Sequence, residues 1–158
     1  MANNPIIPII NGIADALHDI NPDVKIYTKT PDNVKKNDEG YFYINGPISI
    51  MEMRFLKDLH QLRLTFDVMF FPPDMDAADS GLMSAAAFTM SEALYLIQPG
   101  YAGTEGYGAL GLPKRGWNRS TSIVDGVVHV TTNYDLWLTT PQKKELVKSV
   151  SFDFNLRE

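Results

Sequence analysis

The sequence predicts an α+β fold, a mostly antiparallel β-sheet flanked by two α-helices packed on one face. Three observations predict it. Apolar residues recur at helical spacing in two segments, one near the N-terminus and one in the middle of the chain. Alternating segments follow each helix, apolar on one side and polar on the other. The turns between them carry hairpin signals, and no repeated strand–helix–strand unit occurs.

The first helix spans residues 6–20. Ile6, Ile9, Ile10, Ile13, Leu17 and Ile20 follow the i, i+3, i+4, i+7 spacing of one helical face. Asn4 is placed to cap it, Pro5 suits its first position, and Asn21-Pro22 ends it. A short strand follows at residues 23–28, then a charged turn over residues 29–40. Tyr41-Phe42-Tyr43-Ile44 is a strand by its aromatic and β-branched content, and Asn45-Gly46 signals a turn after it. Residues 48–55 alternate partly and predict a further strand.

Residues 61–71 give the cleanest strand. Leu62, Leu64, Phe66, Val68 and Phe70 share one face; Gln61, Arg63, Thr65 and Asp67 share the other. Pro72-Pro73 stops it. The second helix is expected from about residue 75 to residue 97, with Met83, Ala87, Met90, Leu94 and Ile97 as its core stripe. Asp74, Asp76 and Asp79 at its start complement the helix dipole.

Residues 98–119 read as a long loop. Gly100, Gly103, Gly106, Gly108, Gly111 and Gly116 fall in it, and Lys114, Arg115 and Arg119 make it locally basic. Residues 120–124 lead into Asp125-Gly126, the residues a type I′ hairpin requires. The return strand puts Val128, Val130, Tyr134, Leu136 and Leu138 on one face and His129, Thr131, Asn133 and Asp135 on the other. A last strand at about residues 148–156 alternates Val150, Phe152, Phe154 and Leu156 with Ser149, Ser151, Asp153 and Asn155. An apolar-faced terminal strand needs a partner, within this sheet or on a neighbouring subunit.

The 158 residues suit one domain over residues 1–158. A hydrophobic fraction of 44% and a charged fraction of 21% exclude wholesale disorder. The net charge of −5 argues against a uniformly basic nucleic-acid coat. With no cysteine, disulfides, thiolate zinc sites, iron–sulfur clusters and cysteine nucleophiles are all excluded. No stretch approaches the ~20 apolar residues of a membrane helix. The N-terminus lacks a signal pattern, so the expected product is cytosolic, and the sequon at Asn118-Arg119-Ser120 is expected to stay unused.

No catalytic or ligand motif survives inspection. Gly106-Tyr107-Gly108-Ala109-Leu110-Gly111 spells G-x-G-x-x-G, but it follows loop residues and runs into Leu112-Pro113 rather than a helix. The Asp74, Asp76, Asp79 set fails the calcium-loop spacing, with Ala78 at the fifth position. His18, His60 and His129 are scattered, and no H-E-x-x-H or G-x-S-x-G occurs. Lys114, Arg115 and Arg119 around Trp117 suit either nucleic-acid backbone or an acidic protein neighbour.

One resemblance rests on ordered segments. The N-terminal helix runs into Asn21-Pro22-Asp23-Val24-Lys25-Ile26-Tyr27-Thr28. Then follow Tyr41-Phe42-Tyr43-Ile44, Thr65-Phe66-Asp67-Val68-Met69-Phe70-Phe71-Pro72, a helix, and Asp125-Gly126-Val127-Val128-His129-Val130-Thr131-Thr132-Asn133-Tyr134. Over roughly residues 6–138 this resembles the tail terminator (tail completion) proteins of long-tailed bacteriophages and phage-tail-like particles. The glycine-rich loop and the last strand depart from that pattern.

The resemblance implies a structural virion protein with no catalytic residue, cofactor or metal. It implies a homo-oligomeric ring, commonly hexameric, that caps the tail tube, ends its polymerisation and meets the neck or head connector. It further implies sheath contact in contractile particles, and a lumen through which DNA passes without specific binding. Gly103, Gly106, Gly108, Lys114, Arg115, Trp117, Arg119, Val150, Phe152 and Phe154 are the expected interface residues, from the glycine content, local charge and unpaired strand pattern around them. The alternatives are another head–tail joining protein, and a small nucleotide-binding protein or enzyme using the glycine loop.

Overall fold

The computed structural model describes residues 4–29, 40–73, 80–100 and 112–139. Helix α1 spans Ile7–Ile20. Strand β1 is Lys25–Tyr27, β2 is Tyr41–Arg54 and β3 is Leu59–Phe71. Helix α2 is Ser80–Ala93, followed by the short strands β4 (Leu96–Ile97) and β5 (Lys114–Arg115). Strands β6 (Trp117–Val124) and β7 (Val127–Thr139) complete the described chain.

The main sheet has the order β1-β2-β3-β7-β6, and β4-β5 form a separate pair. All neighbours in the main sheet are antiparallel except β1 and β2. Both helices lie on one face, against a core of Ile9, Ile13, Leu17, Ile44, Leu64, Phe66, Met90, Leu94, Tyr134 and Leu136, each at most 1% exposed. The α+β architecture expected from the sequence is the architecture observed. Among the described residues no helix is long and apolar enough to cross a membrane.

Helix α1 buries the predicted stripe, but it begins one residue later than the periodicity suggests. Pro8, not Pro5, occupies its first turn, and the Asn4 side chain accepts a hydrogen bond from the Ile6 N–H at 2.9 Å instead of capping the helix. Gly12 brings α1 against the backbone of Gln98 and Pro99. A Cβ there would lie 2.8 Å from the Gln98 carbonyl oxygen. The Gly100 N–H donates to the Pro8 carbonyl at 3.0 Å and ties the same segment down.

Three expectations need correction. Asn45-Gly46 is no hairpin turn: β2 runs straight through it, because β3 is long enough to pair with both halves. The register shifts between Asn45 and Ser49, and Gly46-Pro47 sit in that irregularity, where a missing N–H disturbs least. Helix α2 ends at Ala93 rather than residue 97. Leu94 and Ile97 still reach the core, at 0% and 1% exposure, because the chain turns into β4 with the same side facing inward. Residues 114–115 and 117–119 are strand, not loop: Lys114 and Arg115 pair with Ile97 and Leu96, and Trp117 opens β6.

The expected hairpin at Asp125-Gly126 is present. Both residues have positive φ, +50° and +73°, as a type I′ turn demands. Asp74, Asp76 and Asp79 lie outside the described residues, as do the glycine motif at residues 106–111 and the last strand at residues 148–156.

Candidate interface site

The basic residues gather at one corner, where α2 ends and β4 begins. The last carbonyls of a helix lack intrahelical partners, and its C-terminus carries partial negative charge. Arg119 answers both, donating from its guanidinium to the Ser91 carbonyl. Its guanidinium carbon also lies 4.8 Å from the centroid of the Tyr95 ring, and that of Arg115 lies 5.3 Å from the same ring. Gly116 sits beneath this corner and donates its N–H to the Tyr95 carbonyl at 2.8 Å. A Cβ at Gly116 would run into the Leu94 carbonyl and meet Thr132 Oγ1 at 2.7 Å. The Leu94 carbonyl is already engaged by the Tyr134 hydroxyl, which donates to it at 2.7 Å.

Lys114 is half-buried on β5, and burial holds its ammonium below the usual lysine value. Trp117 belongs to the opposite face. Asn118, with φ +50°, lies where β6 shifts register against β7, so Trp117 stays on the face away from the helices while Arg119 reaches the helix side. The Arg63 guanidinium stacks over the Trp117 ring at 4.2 Å. Of the expected interface residues, the structure thus unites Arg115 and Arg119 around Tyr95 and sends Trp117 elsewhere. Gly103, Gly106, Gly108, Val150, Phe152 and Phe154 lie outside the described residues.

The face of the sheet opposite the helices carries a polar ladder. Arg63 Nε donates to Asp135 Oδ1 at 3.2 Å, and Thr65 Oγ1 donates to Asn133 Oδ1 at 2.6 Å. Asn133 Nδ2 donates to the Trp117 carbonyl at 3.2 Å. His129 Nδ1 lies 3.1 Å from Asp67 Oδ2. Among the described residues no three histidine or carboxylate side chains converge as metal ligands.

Sequence reading missed the exposed apolar surface. A shallow groove of about 340 Å³ between α2 and β6 is lined by Ala87, Phe88, Thr121 and Ile123, among others, and Phe88 is 67% exposed. Leu82 lies on the same helix, also exposed. A second area surrounds the β2–β3 connection. Phe55 stacks at a tilt on Trp137, with ring centroids 5.1 Å apart, and both stay exposed beside Leu56. The signal available was the segment 48–55 at the end of β2, which mixes Ile48, Ile50, Met51, Met53 and Phe55 without a consistent polar face.

Among the described residues, the geometry offers contact surface at the α2–β6 groove and around Phe55 and Trp137. Comparison with curated proteins returns no match. Comparison with protein families does: the family described as phage tail terminator protein matches residues 8–145, nearly the whole chain. The chain belongs to the phage tail terminator protein family, structural virion proteins of bacteriophages.

Proposed function

We propose that this protein is the subunit of a hexameric ring that caps the tail tube, ends its polymerisation and joins the tail to the neck or head connector. The family match carries this reading. Two separate apolar areas support it. One, at Phe88 and Ile123, lies near the start of β7; the other, at Phe55, Leu56 and Trp137, lies near its far end. Head-to-tail rings need two different surfaces on each subunit, because the contact joins unlike patches and closes by rotation.

The partners are other copies of the chain, the tail tube protein and the neck protein, with the last sheath layer added in contractile particles. Arg115, exposed at the α2 corner, is the cation offered to an acidic neighbour. DNA crosses the lumen unheld, consistent with the net charge of −5. The ring sits at the tail–neck junction and is assembled in the host cytoplasm.

Particles assembled without the protein test this directly. Tubes should overrun their normal length and lack heads, and imaging of complete particles should find a six-fold ring at the tail end. Tubes of normal length in its absence would refute the terminating role.

A further inference from the structure

Along most of β2 the sheet edge has no strand beside it among the described residues. β1 pairs only with Tyr41, Phe42 and Tyr43 of β2. Among the described residues no strand lies beside residues 45–54, so their outward N–H and C=O groups form an open template. The side chains show the same gap. Tyr134, Leu64 and Ile50 sit side by side in register on the helix face. The first two are 0% exposed and Ile50 is 53% exposed, because the row stops at the edge.

The chain itself supplies a candidate cover. Thr139 pairs with Leu59, and Arg54 with His60, so β7 finishes at the same end of the sheet as β2. Residues 140–158 continue from that end. The nine residues 140–148 can span about 30 Å. The edge lies roughly 15 Å away, across three spacings of ~4.8 Å. A strand entering there and running back along the edge is antiparallel to β2.

We propose that residues 149–156 add to the sheet as a strand antiparallel to residues 49–54 of the same chain. Val150, Phe152, Phe154 and Leu156 then continue the helix-side face, with Phe154 beside Ile50 as the next member of the Tyr134–Leu64–Ile50 row. Ser149, Ser151, Asp153 and Asn155 continue the polar face. A tether of nine residues keeps the segment at millimolar effective concentration, so its own edge outcompetes a neighbour's. The proposal does not depend on ring formation, and the segment lies beyond the residues that match the family.

The absence of cysteine makes the test clean. In this register Met51 faces Asp153 and Met53 faces Ser151, at separations a disulfide spans. Oxidised M51C/D153C and M53C/S151C chains should run as monomers of increased mobility, with single-cysteine controls unshifted. Disulfide-linked dimers would assign the segment to a second copy, and no link from either pair would remove it from this edge; both overturn the proposal. Hydrogen exchange needs no cysteine. Amides of residues 49–54 should exchange at least about tenfold more slowly in the full chain than in one ending at Thr140, with α1 protection unchanged as the fold control. Equal exchange at residues 49–54 would equally overturn it.

Discussion

Replacing Tyr134 by Phe should remove one oxygen and expose how the α2 corner is held. Tyr134 is fully buried, and its hydroxyl donates to the Leu94 carbonyl at 2.7 Å. Losing that donor costs the hydrogen bond and leaves a buried acceptor unsatisfied, together about 2 kcal/mol at neutral pH. For a domain of this size that lowers Tm by roughly 4–8 °C. The loss should also depend on pH. Burial pushes the Tyr134 hydroxyl far above its ordinary value of 10.0. Between pH 10 and the folded pKa the unfolded chain releases this proton while the native chain keeps it. The unfolded state then binds fewer protons, so native stability falls as pH rises, by about 1.4 kcal/mol from this residue at pH 11. The Phe variant has no such proton to lose. Urea denaturation at pH 7 and pH 11 should therefore show the gap between the two proteins shrinking from about 2 to below about 1 kcal/mol. A gap that stays constant, or none at pH 7, would refute the assigned hydrogen bond.

Gly116→Ala should destabilise by about 1–3 kcal/mol in the same assay, since its Cβ has no room beside the Leu94 carbonyl and Thr132. Arg119→Met should cost about 1–2 kcal/mol through the lost Ser91 bond and Tyr95 stacking. Arg115→Met, exposed and only stacked, should cost less than about 0.5 kcal/mol yet weaken particle assembly, read by tail-capping yield. Phe66→Ala, at 0% exposure against Tyr134, should cost about 3–5 kcal/mol by denaturation. Deleting residues 101–112 should leave a folded subunit by circular dichroism but impair docking on tail ends; normal capping would remove the loop from the interface.

Periodicity made the core legible wherever one face is buried along a whole element. The stripes of α1 and α2, and the alternations of β3 and β7, name most of the buried residues. Boundaries were less legible, because a partner strand decides them. Asn45-Gly46 would be a turn if its flanking segments paired with each other, and here both pair with β3 instead. Leu94 and Ile97 fit helical spacing although the helix has ended, because only direction matters to the core. The candidate site was legible in composition but not in arrangement. Nothing near Lys114–Arg115 in sequence reveals that Tyr95 lies beneath the arginines, or that Asn118 sends Trp117 to the other face.

Strand order also sets a timetable. The β2–β3 hairpin is local and can form as soon as residue 71 has been made. The centre of the sheet cannot, since β3 finds its second neighbour only in β7, with about seventy residues between Arg63 and Asp135. Until Val127–Thr139 leaves the ribosome, Leu64, Phe66 and Val68 have no strand on that side. A translation product that stops before Val127 therefore leaves β3 unpaired on one side and β6 without its neighbour, and cannot complete the five-stranded sheet.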